Sequence, residues 1–358
     1  MDVSEYTLWY KKESTRLIDI LINNEIQIAS KLSPILVDDL VILKDFMSGG
    51  KKIRGGLMNF GIHIANPTWP INKIFDASLS FEFLHSALLM QDDVIDKDKT
   101  RRGKPTAHVQ YENLYGNKYR SSKKSHVHFG ISKVFCISDW ASSFGAMQIL
   151  RSTFDPKHKL KSVEIFHQCF NNTAQGESLD VTYESLPKVS ESEVLLMQKY
   201  KTAHYTFSDP IRCGYALGGG EDSKVDEAIS NLGENIGIAF QIWDDILGLF
   251  GDSEILGKPV GSDMKRRKNT LLVAKALEQG NKKQRDFIKS VWGKGDLTDE
   301  EFEKVKDVIK ETGSLKYSED FSEKLLRKGK TYISKITSDK NYQGLLEGFA
   351  DMAVKREK

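Results

Sequence analysis

Four aspartates fall within seven residues, Asp92, Asp93, Asp96 and Asp98, where an apolar run ends in LLMQDDVIDKD. Asp92 and Asp96 stand at i and i+4, so on a helix they share one face, with Asp93 about a quarter turn away. Like charges at that spacing destabilise a helix, and acids near its C-terminus oppose the macrodipole. A hard divalent cation removes both conflicts. Mg²⁺ takes one or two carboxylates and completes its shell with water and phosphate oxygens. Alone, the motif reads equally well as a solvated acidic helix end.

A second acid pair, Asp244 and Asp245 in WDDILG, follows another apolar run. Its i+4 position is Gly248 rather than an acid. Two such helix ends facing a cavity could hold, through metal, a substrate rich in phosphate oxygens. Bases follow each cluster: Arg101 and Arg102 after the first, then Lys258, Arg266, Arg267 and Lys268 after the second. Arg grips phosphate bidentately and Lys as a point charge. A further basic island, GGKKIRGG (residues 49–56), contains Lys51 and Arg54 between glycines that allow close backbone approach. It is not a Walker A loop.

His85 precedes Asp92 by seven residues, roughly the same face and about 10 Å up the helix at ~1.5 Å per residue. That distance suits a second phosphate group. Taken singly, His85 is an ordinary core histidine, Lys201-Thr202 in KYKTA a snorkelling lysine with its neighbour, and GGKKIRGG a surface turn. The acids would hold metal, the metal and bases would hold phosphate, and the apolar helices would form a wall. Polyphosphate at one end and apolar surface at the other suggest a prenyl diphosphate.

The elements that must position these residues are helices. Tyr342, Leu345, Leu346, Phe349, Met352 and Ala353 trace one helical face, Leu8 to Leu32 carries a similar stripe, and strict period-two alternation is hard to find. The expected fold class is all-α. Residues 74–95 and 225–250 are apolar nearly all round and should lie centrally. The polar stretches after them, 97–128 and 251–269, have the length of functional loops, with a short helix possible around 109–119.

The 358 residues contain 52 Lys+Arg against 50 Asp+Glu, so no global field for nucleic acid is expected. Three separated cysteines without a CxxC suit reduced thiols in the cytoplasm. No run of eighteen apolar residues predicts a membrane span, and the N-terminal residues do not resemble a signal peptide.

In order, GGKKIR, FLHSALLMQDDVIDKDKTRRGKPT, HFGISKVFCISDW, AQGESLD, KYKTA, FQIWDDILGLFGD and GKPVGSDMKRRKNTLL make the chain resemble the trans-isoprenyl diphosphate synthases, or polyprenyl synthetases. The likeness is strongest over residues 45–275. It implies one domain over residues 1–358, a helical bundle around a central apolar cavity, and a homodimer. It also implies Mg²⁺-dependent condensation of isopentenyl diphosphate with an allylic diphosphate. Asp92 and Asp96, with Asp93 beside them, would hold two metals, and Asp244, with Asp245 close by, the third. Arg101, Lys201, Thr202, Gln241, Lys258 and Lys268 would contact the allylic substrate. Lys51, Arg54, His85 and Arg102 would hold isopentenyl diphosphate, and Gln175 and Asp180 would lie near the metals.

Product length should follow cavity depth below Asp92. Ala87, five residues earlier, is small where short-chain members often carry an aromatic, with Leu88 beside it. Phe83, and Phe135 on a neighbouring helix, could form a floor. The expected product is the C20 geranylgeranyl diphosphate, with farnesyl or longer polyprenyl products as alternatives. A class I terpene cyclase would leave GGKKIR, His85 and Arg102 unexplained. A non-catalytic partner subunit is suggested only by Gly248.

Overall fold

The computed structural model describes residues 1–119, 126–251 and 260–354. Contacts within the chain define two compact units, Met1–Phe166 with Cys213–Gly220, and His167–Arg212 with Glu221–Lys358. Both are helical, as the periodicity predicts. Among the described residues the only sheet is a two-residue antiparallel hairpin, Thr100–Arg101 with Lys104–Pro105. No described helix is long and apolar enough to cross a membrane.

In the first unit, α1 (Val3–Leu32), α2 (Leu36–Ser48), α3 (Ile53–Ala65), α4 (Ser80–Ile95), α5 (Ala107–Leu114) and α6 (His126–Arg151) carry most of the chain. The central helix expected over 74–95 begins as a tight turn at Asp76–Leu79 and becomes α-helical at Ser80. Phe81, Phe83, Leu84, Ala87 and Met90 of α4 are buried. Gly145 lets α6 lie against its first turn, where a Cβ would stand 2.8 Å from the Ser80 carbonyl oxygen. The helix ends at the aspartates in a Schellman turn. Asp98 N–H donates to the Asp93 carbonyl at 2.9 Å and Lys97 N–H to that of Val94 at 3.2 Å, with Lys97 left-handed at φ 57°. The short helix expected around 109–119 is α5 followed by one π-turn, Tyr115–Tyr119.

The second unit is built around α7 (Pro156–Glu184, which begins in the first unit), α8 (Glu191–Gln198), a π-helical segment Lys199–Ser208, and α10 (Ser223–Phe250). Between the last two runs α9 (Asp209–Leu217). Lys201 and Thr202 thus lie in a π-helix, a form concentrated at functional sites. Glycines seat it. A Cβ at Gly176 of α7 would come within 2.2 Å of Lys201 N, one at Gly237 within 2.4 Å of Ala203 Cα, and one at Gly233 within 2.4 Å of Ser208 N. Only glycine permits such backbone approach. The C-terminal stripe forms the helix Lys340–Val354, which buries Tyr342, Leu345, Leu346 and Phe349.

Candidate active site

In the first unit the acids and bases meet at one end of α4. Arg101 Nε donates to Asp93 Oδ1 at 2.6 Å and its Nη2 to Asp92 Oδ2 at 3.3 Å. The hairpin explains how neighbouring arginines serve different places. Arg102 and Gly103 occupy its two-residue turn at φ 54° and 73°, the pattern of a type I′ turn. Arg101 is thereby directed to the aspartates. Arg102 lies over Gly49 and Gly50, where added Cβ atoms would stand 2.7 and 2.9 Å from its guanidinium nitrogens. The glycines of GGKKIR make room for an arginine side chain, a use of them that the sequence reading did not anticipate.

His85 sits among these bases, its Nε2 3.3 Å from Arg54 Nη1. Burial pushes its imidazole well below the usual range, and Arg54, Arg102, Lys52 and Arg101 push it further. Four cations crowding one neutral imidazole are what an anion site needs. Lys51 beside them is exposed, whereas Lys52 is buried, left-handed at φ 56°, and 3.7 Å from the buried Glu82 carboxylate. Burial lowers the Lys52 ammonium and Glu82 offsets that. Glu82 also accepts Gly55 N–H at 2.8 Å, so this pair fixes the start of α3 and thereby Arg54.

The expected metal ligands divide by burial. Asp92 is about a quarter exposed and Asp96 half-buried, but Asp93 is sealed, with Arg101 on one oxygen and no hydrogen-bond partner on the other. Burial drives its carboxyl up to about 6 against the pull of Arg101. Of the three, Asp93 is the one engaged by Arg101 at the shortest distance.

In the second unit Asp180 is the hub. Lys201 Nζ donates to its Oδ2 at 2.6 Å and Lys268 Nζ at 2.9 Å. Burial opposes its charge, but Lys201 and then Lys268 outweigh that and hold the carboxyl below the usual range. Glu177 is 2.8 Å from Lys201 and Glu184 2.7 Å from Lys268. Gln175 is exposed, and Glu177 is the residue of this segment that meets Lys201. Thr202 Oγ1 donates to Gln241 Oε1 at 2.8 Å, and Gln241 Nε2 to Asp245 Oδ1 at 2.8 Å. Gln198 Nε2 donates to Asp245 Oδ2 at 2.9 Å. Asp245 is therefore buried with both oxygens engaged, while Asp244 is half-buried on α10.

Lys258 lies outside the described residues. Arg267, one of the bases after the second cluster, stacks on Trp292 at 4.8 Å and donates to the Leu186 carbonyl at 3.2 Å, which is structural work. The cavity residues also divide. Ala87 and Phe83 are buried and Leu88 half-buried. Phe135 is 54% exposed on α6. Phe144, also on α6, packs edge-to-face with Phe83 at 4.9 Å. Both rings line a small pocket together with Ile22, Glu25, Leu40, Leu43, Trp140 and Ala141.

Sequence reasoning missed Lys52, Glu82, Glu177, Glu184 and Gln198. Glu177, Asp180 and Glu184 were within reach, since their i, i+3, i+7 spacing marks an acidic stripe on one helix face. Among the described residues no three carboxylates, imidazoles or thiols converge as a ready-made metal cage. Asp92, Asp96 and Asp244 fit Mg²⁺ nonetheless, because that ion is typically bound by one or two carboxylates with water and substrate phosphate completing its shell.

The sequence model of the polyprenyl synthetases matches residues 41–311. The chain belongs to the polyprenyl synthetase family. It is a prenyltransferase enzyme. A geranylgeranyl diphosphate synthase of Methanosarcina mazei is 29% identical over 310 residues, 87% of each chain. A geranylfarnesyl diphosphate synthase of Aeropyrum pernix is 26% identical and covers 87% of this synthetase, which covers 92% of it. In structure, a geranylgeranyl pyrophosphate synthase of Corynebacterium glutamicum, solved with isoprenyl diphosphate and magnesium, matches at a TM-score of 0.88 over 100% of both chains with 26% identity.

Proposed function

We propose that this polyprenyl synthetase condenses isopentenyl diphosphate with an allylic diphosphate to give linear geranylgeranyl diphosphate, C20. The observation that supports the reading is two clusters of basic side chains, each able to hold a diphosphate. Arg54, His85 and Arg102, with Lys51, form one, and Lys201 and Lys268 on Asp180 form the other. A cyclase handles one diphosphate and needs only one set.

Lys51, Arg54, His85 and Arg102 would hold isopentenyl diphosphate. Arg101, Lys201, Thr202, Gln241 and Lys268 would hold the allylic substrate, joined by Lys258. The reading needs Asp92 and Asp96 to hold two Mg²⁺ and Asp244 a third. When bound, Mg²⁺ neutralises the allylic diphosphate and makes it a better leaving group. Lys201, Lys268 and Arg101 stabilise the same developing negative charge as the allylic C–O bond breaks. The isopentenyl double bond attacks the allylic carbon, and the departing diphosphate takes the proton lost in closing the new double bond. His85 stays neutral, accepts from Arg54, and keeps that guanidinium aimed at its phosphate. The apolar face of α4 keeps water from the cation.

Ala87 leaves the turn before Asp92 open, and the Phe83–Phe144 pair closes the next level, which favours C20 over C15. We take the two units to act as one catalytic domain, and the working enzyme to be a cytoplasmic homodimer. The test is incubation of the purified chain with isopentenyl diphosphate, Mg²⁺ and dimethylallyl, geranyl or farnesyl diphosphate. The dephosphorylated alcohols are then sized by mass spectrometry. Linear C20 alcohol from all three primers is the expected result. Folded protein that elongates none of them contradicts the reading.

A further inference from the structure

Two residues of one helical run meet two of another in a ladder of side chains. Gln198, the last residue of α8, donates from Nε2 to Asp245 Oδ2 at 2.9 Å. Four residues on, in the π-helix, Thr202 Oγ1 donates to Gln241 Oε1 at 2.8 Å. Gln241 and Asp245 are themselves i and i+4 on α10, and Gln241 Nε2 closes the ladder onto Asp245 Oδ1 at 2.8 Å. The pairs run 198 with 245 and 202 with 241, the crossed order of antiparallel neighbours.

The carboxylate decides which way each proton points. An ionised carboxylate only accepts, so both amides turn their NH₂ groups to Asp245. The Gln241 carbonyl is left to take the Thr202 proton, and Thr202 Oγ1 keeps its lone pairs for any further contact. Gln198 is the unexpected member. It precedes KYKTA by one residue and belongs to none of the motifs that carry the family resemblance. Its side chain is buried, and its Oε1 has no hydrogen-bond partner among the described residues. A buried carbonyl left unpaired is costly, and an apolar side chain of the same length would avoid that cost. Packing alone therefore does not account for a glutamine at 198, whereas its amide donor does.

We infer that Gln198 is a positioning residue for prenyl transfer, and that through Asp245 it fixes the orientation of Gln241 and Thr202. This rests on the prenyl-transfer reading, in which Thr202 and Gln241 contact the allylic substrate. With the Gln198 donor in place, the Asp245 carboxylate is gripped by an amide from each helical run. Without it, one side of the carboxylate loses that grip and can turn from Gln241. Gln241 then no longer holds its carbonyl toward Thr202.

The test compares wild type with Gln198→Met, which keeps the length of the side chain and removes its donor, and with Gln198→Leu as a second variant. Elongation of farnesyl diphosphate is followed by steady-state kinetics, with folding checked by thermal unfolding. In both variants kcat should fall about tenfold, the scale of coupling within one hydrogen-bond network, while the KM for isopentenyl diphosphate stays unchanged. A second readout uses neither substrate nor metal. Denaturant unfolding in EDTA is measured for wild type, Gln198→Met, Asp245→Ala and the double variant. The two losses should be non-additive, because Gln198 has no carboxylate to hold once Asp245 is removed. Wild-type kcat in folded Gln198→Met or Gln198→Leu, even with lowered stability, overturns this inference alone. So do additive unfolding losses, or a rise in the isopentenyl KM as large as the fall in kcat. Wild type that elongates no primer overturns both the inference and the reading beneath it.

Discussion

Arg101 Nε donates to Asp93 Oδ1 at 2.6 Å, and this bond gives the second aspartate of the DDxxD motif a task different from that of its neighbours. The sealed Asp93 holds the arginine at the shorter distance, while Asp92, 3.3 Å from Arg101 Nη2, and Asp96 keep partial exposure. Asp93→Ala should therefore act through Arg101. The KM for the allylic diphosphate should rise with little change in the Mg²⁺ requirement. Residues acting as a unit are non-additive, so adding Asp93→Ala to Arg101→Ala should cost less than about threefold more. Steady-state kinetics of the two single variants and the double variant measure this. Additive losses with a raised Mg²⁺ requirement would show that Asp93 acts as a metal ligand instead.

Gly49 and Gly50 carry the guanidinium of Arg102. Gly49→Ala brings a methyl group to 2.7 Å from that guanidinium and displaces it. Gly50→Ala adds backbone strain at φ 90°, about 1–3 kcal/mol for a residue forced into a sparsely populated region. Both should raise the KM for isopentenyl diphosphate more than that for the allylic substrate, with Gly50→Ala also lowering Tm. Equal effects on both substrates would contradict the assignment of Arg102.

Product length should follow α4. Ala87→Phe fills the level above Phe83 and should shorten the main product to C15. Phe83→Ala removes one partner of the Phe83–Phe144 pair and opens the pocket lined by Leu40, Leu43 and Trp140, so C25 and longer alcohols should appear. Mass spectrometry of the alcohols checks both. Phe135→Ala should leave the product unchanged, since that side chain is exposed.

His85 should make the ligand-free fold sensitive to acid. Burial, and then the surrounding cations, hold its imidazole well below the 6.5 of an ordinary histidine. Between those two values the unfolded chain binds a proton that the folded chain does not. The stability His85 contributes is thus fully present above 6.5 and falls as the pH drops below it, by up to about 1.4 kcal/mol per pH unit. Denaturant unfolding between pH 7 and 5 should show a shallower decline for His85→Gln than for wild type. Identical slopes would place His85 outside the cation cluster.

Much of this was legible in the residues. The all-α class, the two central helices and the order of the acids and bases follow from period, composition and spacing, because those signals are local. The roles of Asp93 and Asp245 were not legible. A carboxylate's partner depends on which donor the fold carries to it, here Arg101 across a hairpin and Gln198 from another helix. The partner of Phe83 was hidden for the same reason, since a neighbouring helix can be named from sequence while the residue it presents at one level, here Phe144, cannot. The π-helix at Lys201 was hidden because it is imposed by close packing at Gly176, Gly233 and Gly237.

The most direct test of two-diphosphate prenyl transfer is the stoichiometry of diphosphate release. Farnesyl diphosphate and Mg²⁺ are given to the enzyme with and without isopentenyl diphosphate, and released diphosphate is counted against C20 product. The account predicts one diphosphate per C20 product, with little release when isopentenyl diphosphate is omitted. Release without isopentenyl diphosphate, yielding a cyclised or hydrated C15 product, would contradict it.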